Sequence, residues 1–119
     1  LRTLCASLHQ KSPELYSKVN DLNVEGNYYY DISQCGIGYH GDTERKVVIG
    51  CRLGKTMPLS FQWYYDNQCV GSPMIFQLEH GDIYFMNDKA TGNDWRRRKV
   101  ITIRHAAGSS KYISPKFKN

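Results

Sequence analysis

The spacing of hydrophobic positions changes near residue 26. Before it, Leu4, Leu8, Leu15 and Val19 recur at intervals that fit one face of a helix. Ser12-Pro13 interrupts that pattern as an N-cap followed by proline at the first helical position, which predicts two short helical pieces. From Gly26 onward, short runs rich in Val, Ile, Tyr and Phe alternate with Gly, Asp and Asn clusters, the texture of strands joined by turns. Strands are predicted over 27–31, 47–53, 59–65, 74–78, 82–86 and 100–105, with turns at Asp66-Asn67 and at Gly71-Ser72-Pro73. Six short strands and one helical region predict a mostly β domain, a small barrel or sandwich with a helix packed outside. The expected organisation is a single domain over 1–119. It has a helical N-terminal segment (1–25), a β core (26–107) and a basic tail (108–119) carrying Lys111, Lys116 and Lys118.

Composition narrows the class. A chain of 119 residues has room for one domain. Its hydrophobic and charged fractions, 40% and 23%, are those of a globular protein and argue against disorder. No apolar run reaches the roughly 18 residues of a membrane span. Cys5, Cys35, Cys51 and Cys69 form no C-x-x-C pair, so neither a zinc ribbon nor a redox motif is supported. No secretory pattern is visible, which predicts a cytoplasmic or nuclear home, and a start at Leu1 raises the expectation of a truncated N-terminus. Sixteen Lys and Arg against eleven Asp and Glu give a net charge of +5, compatible with DNA or RNA as partner; the chain is expected to be monomeric.

Three constellations can carry chemistry. In an extended Gly38-Tyr39-His40-Gly41-Asp42 segment, His40 and Asp42 point to the same side and supply two adjacent ligands for a divalent metal. The same residues also suit a plain surface turn. On a strand from Arg98 to Arg104, the residues Arg98, Val100, Thr102 and Arg104 share one face, and Arg suits a carboxylate through its planar fork. A solvated outer face reads equally well there. In Asn27-Tyr28-Tyr29-Tyr30-Asp31, Asn27 and Tyr29 share a side and offer an amide and a phenol to a small acid. Trp63 is a core residue or a base-stacking platform, and Trp95-Arg96-Arg97-Arg98-Lys99 is the densest basic run.

Taken in order, these motifs resemble the AlkB-like branch of the Fe(II)- and 2-oxoglutarate-dependent dioxygenases, over roughly 27–108. The resemblance rests on Asn27-Tyr28-Tyr29, His40-Gly41-Asp42, Leu53-Gly54, His80-Gly81-Asp82 and the closing Arg98, Thr102 and Arg104. It implies a double-stranded β-helix (jelly-roll, cupin-like) core and oxidative demethylation or hydroxylation of alkylated nucleic acid bases. It further implies His40 and Asp42 as iron ligands, with Asn27, Tyr29, Arg98, Thr102 and Arg104 around the 2-oxoglutarate cosubstrate. Arg104 would take the distal carboxylate. The chain departs from the family where Val100 replaces the motif's asparagine and where no histidine occurs in 93–97. Asp94 is the nearest alternative third ligand there. His105 has the opposite strand parity to Arg104 and would need a bulge to enter the pocket. A protein or small-molecule substrate, or a catalytically silent barrel that binds nucleic acid or protein, are the competing expectations.

Overall fold

The computed structural model describes residues 23–115, so the helices expected before residue 20 lie outside the described residues. Among the described residues there are six strands: β1 Gly36–His40, β2 Val48–Cys51, β3 Met57–Tyr65, β4 Gln68–Leu78, β5 Ile83–Met86 and β6 Thr102–Gly108. Two single-turn helices accompany them, α1 Asp88–Thr91 and α2 Ser110–Ile113. The strands form an antiparallel sheet in the order β1-β6-β3-β4 and a two-stranded antiparallel ribbon, β2-β5. Among the described residues no helix is long and apolar enough to cross a membrane.

Strand alternation decides what each sheet face meets. Leu59 pairs with Ala107, Phe61 with His105 and Trp63 with Ile103, so these side chains share the inner face of the large sheet. Val48 and Met86, and Gly50 and Tyr84, are cross-strand pairs on the ribbon. Met57, Leu59, Met86 and Ala107 form the buried core, with Tyr29, Val48, Phe61 and Tyr84 packed against it. The opposite face of the large sheet carries Ser60, Gln62, Tyr64, Thr102 and Arg104. There Tyr39 Oη shares a hydrogen bond with Ser60 Oγ and donates to the Ile113 carbonyl, tying α2 to the sheet.

The turns follow their chemistry. Asp66 and Asn67 both have positive φ, 51° and 63°, which closes the β3–β4 hairpin with the twist that its strands require. The expected turn at Gly71-Ser72-Pro73 is instead part of a continuous β4. The ladder slips between Phe61 and Trp63, Gly71 takes φ 71°, and the buried Gln62 amide donates to the Val70 and Gly71 carbonyls that the slip frees. The expected strand at 27–31 is irregular. Only Tyr29 there packs inward, while Tyr28 and Tyr30 are exposed. The Asp31 carbonyl accepts from Gln34 and Cys35, turning the chain before a ladder forms. The expected basic tail begins with α2, whose Tyr112 lies against Gly36 of β1.

Candidate metal centre

β1 and β6 bring a histidine-rich cluster together. The β1–β6 ladder slips between Ile37 and His40, and after the slip His40 stands opposite His105. Their rings are 4.3 Å apart. His40 Nε2 lies 3.6 Å from Asp42 Oδ1, and His105 Nε2 lies 3.5 Å from Asp42 Oδ2. Both separations are too long for good hydrogen bonds. All three ligand atoms fall within 4.8 Å of one another. Ligand bonds of about 2 Å allow donors on one ion to stand up to about 4 Å apart, so small side-chain rotations close the set on a metal.

The surroundings orient each donor. His40 Nδ1 is 2.8 Å from the Gly38 carbonyl, which fixes the proton there and turns the Nε2 lone pair toward the cluster. Asp42 is held by its backbone N–H, which donates to the Thr91 carbonyl at the end of α1. Asn87 caps that helix through Ala90 N–H, and the fully buried Thr91 hydroxyl donates to the Asp88 and Arg45 carbonyls. Gly92 ends the helix at φ 71°; a Cβ there would strike the Ile103 carbonyl and the Gly41 Cα. A Cβ on Gly41 would likewise meet the Gly92 carbonyl and Trp95. The His-x-Asp segment and the helix end therefore meet backbone to backbone, which only glycine allows at both positions.

His105 is buried beneath Phe61, 7% exposed. Burial, then the nearby His40, holds its pKa down to about 4 against the pull of Asp42. Its ring is neutral at pH 7, the form that ligates a metal. Its Nδ1 is buried without a well-formed hydrogen bond. The Ala90 backbone lies beside the ring, and Nε2 is the atom turned to Asp42. Two imidazoles and a carboxylate are the donor set of non-haem Fe(II) oxygenases, and the residues present fit that metal.

The expected third ligand, Asp94, is elsewhere: its Oδ2 accepts from Lys89 Nζ at 2.9 Å. His105 takes the place for which Asp94 was considered. It does so without reversing the parity of β6, because the cluster lies on the inner face and Arg104 on the other. Thr102 and Arg104 therefore do not face the metal cluster. Thr102 is buried opposite Tyr64, and the Arg104 guanidinium stacks 4.2 Å from the Tyr64 ring and 5.3 Å from Trp95 while donating to Asn67 Oδ1. Arg98 is exposed in the loop before β6, its carbonyl bonded to Asp66 N–H. Asn27 and Tyr29 line a cavity of about 330 Å³ together with Arg52. Trp63 is half-buried on the inner face. His80 is a positioning residue, accepting from Gly54 N–H. A lone histidine between Ile103 and Ala107 in an apolar strand was the available signal for His105.

No family model matches this chain, and no solved structure does. An uncharacterized protein of Acanthamoeba polyphaga mimivirus is 50% identical to it over 104 residues, which is 87% of this chain and 41% of that protein. The chain thus spans well under half the length of the curated relative it matches.

Proposed function

We propose that this chain is an AlkB-like, Fe(II)- and 2-oxoglutarate-dependent dioxygenase domain acting on alkylated nucleic acid bases. The observation that carries the proposal is the convergence of His40, Asp42 and His105 from two neighbouring strands onto one point. Two facing antiparallel sheets with the cluster on an inner face suit a double-stranded β-helix core. When bound, Fe(II) with 2-oxoglutarate and O2 supplies oxidative hydroxylation of a C–H bond, with succinate and CO2 as co-products. The chain's own part is geometric and electrostatic. His40 is aimed by the Gly38 carbonyl, His105 is kept neutral by burial, and the Phe61 ring packs beside it. Arg96, Arg97, Arg98 and Lys99 are exposed on one loop and suit phosphate contacts. The silent-barrel alternative rested on a missing third ligand, and His105 weakens that ground.

Anaerobic titration with Fe(II) and 2-oxoglutarate tests the proposal. The chelated complex should give a visible charge-transfer band that His40→Ala abolishes. No band at millimolar metal would overturn the oxygenase assignment. Affinity for single-stranded DNA or RNA should fall with salt and fall further in Arg96→Gln/Arg97→Gln. Salt-independent or absent binding would remove nucleic acid as the substrate class.

A further inference from the structure

The turn that carries His40 and Asp42 is held in place by the first residue of the basic loop. We propose that Trp95 is a positioning residue that links this loop to the metal centre, so that a polyanion on residues 96–99 and a divalent metal on His40, Asp42 and His105 tighten each other's binding. This inference rests on the metal and nucleic-acid readings above and names the regulation of that same site.

Local structure sets the indole against the turn. Gly92 ends α1 at positive φ and its carbonyl accepts from Trp95 N–H, so the chain folds back directly after the helix. The indole then fills the space where a side chain on Gly41 would stand. Gly41 lies between two of the ligands and has the freest backbone of the segment. Trp95 Nε1 donates to Thr43 Oγ1 at 3.2 Å, and Asn93 Nδ2 donates to the Thr43 carbonyl at 2.7 Å. With the bond from Asp42 N–H to the Thr91 carbonyl, these contacts fasten residues 41–43 to the loop.

Cations hold the same ring. The Arg96 guanidinium is 5.1 Å from the indole and that of Arg104 is 5.3 Å from it. Arg104 is itself fixed by the Tyr64 ring and by Asn67 Oδ1. Arg96, Arg97, Arg98 and Lys99 follow one another without interruption and are exposed. The far end of the loop is tied to the β3–β4 turn: the Arg98 carbonyl accepts from Asp66 N–H, and Lys99 Nζ is 3.9 Å from Asp66 Oδ2. The loop is therefore anchored at both ends, and its Trp95 end touches the turn that carries the ligands.

The sign of the linkage follows from charge. Four consecutive cations repel one another, and they repel a dication bound nearby. Phosphates on the loop cancel part of both repulsions and hold the loop, with Trp95, against Gly41. Each ligand therefore favours the arrangement that the other needs, and the two affinities must change by the same factor.

The test measures the affinity of a fluorescein-labelled single-stranded oligothymidylate by anisotropy at fixed salt, with and without saturating Mn(II). Mn(II) should tighten the oligonucleotide about fivefold or more in wild type, the lower end of measured site-to-site couplings. His40→Ala, run with the same Mn(II), corrects for metal bound by the oligonucleotide itself and should show no tightening. Trp95→Ala should keep its metal-free affinity for the oligonucleotide, because the four cations remain, yet lose the tightening. Trp95→Phe, which keeps a ring on Gly41 without the indole donor, should recover part of it. Arg96→Gln, an exposed change that spares the fold, should bind more weakly and be tightened less. A purely structural role for Trp95 would lower the unfolding midpoint and leave the tightening factor where it was. Full tightening in folded Trp95→Ala or in Arg96→Gln would overturn the proposal, as would equal tightening in His40→Ala. So would a wild type that binds both ligands independently or antagonistically. Wild-type protein that binds no Mn(II), or no oligonucleotide, would instead sink the metal or the nucleic-acid reading, and the linkage with it.

Discussion

Burial of His105 makes the metal-free protein acid-sensitive in a defined window. An unfolded chain protonates histidine near its ordinary pKa of 6.5, whereas the folded protein resists protonation of this ring until about pH 4. Above 6.5 the ring is neutral in both states and contributes no pH dependence. As the pH falls from 6.5 toward 4, the unfolded state binds the proton and the folded state does not, so stability falls. Below 4 both states are protonated and the decline ends. The gap corresponds to on the order of 3 kcal/mol. Solvent screening takes little from that figure, because the side chain is only 9% exposed. The assay is urea unfolding of metal-free wild type and His105→Asn at steps between pH 7 and pH 4. Wild type should lose about 3 kcal/mol more than the variant across that range. Titrating groups away from the cluster cancel in the difference. Parallel curves would refute the argument that burial keeps this imidazole neutral.

Three further outcomes follow from the geometry around the cluster. Gly92→Ala places a Cβ at positive φ against the Ile103 carbonyl and Gly41; it should cost about 1–3 kcal/mol by chemical denaturation and weaken metal binding as well. Asn87→Ala removes the cap of the helix that holds Asp42 and should cost about 1 kcal/mol, read as a lower unfolding midpoint. Asp94→Asn removes the charge from the pair with Lys89, a partly exposed ion pair worth less than about 1 kcal/mol, and should leave metal affinity unchanged in the same titration.

The β texture from residue 47 onward was legible from runs of Val, Ile, Tyr and Phe set between turn residues. Hairpin closure at Asp66-Asn67 was legible because those residue types tolerate positive φ. His40 and Asp42 became a candidate pair through the order of the motifs along the chain, since their spacing alone suits a surface turn equally. What the sequence hid was the face. Residues 98 to 105 alternate, and pattern alone does not say which alternate set meets the second sheet. Arg104 and Thr102 attracted attention as a polar stripe, yet the polar stripe turned to Tyr64, while the stripe of Ile103, His105 and Ala107 met the core. The slip that sets His40 opposite His105 is a property of the β1–β6 ladder and has no local signature. Tyrosines at 28–30 read as a strand by propensity, but a segment with one packed side chain and no partner strand does not form one.

The central claim is that His40, Asp42 and His105 together hold one divalent metal. Its most direct test is electron paramagnetic resonance of free Mn(II) titrated against wild type, His40→Ala, Asp42→Ala, His105→Ala and Asp94→Ala, each checked for folding by circular dichroism. The account predicts one site in the wild type. Affinity should fall in each of the first three variants by at least the roughly 10–100-fold that loss of an outer-shell partner costs, and stay unchanged in Asp94→Ala. Full affinity in His105→Ala, or a loss confined to Asp94→Ala, would contradict it.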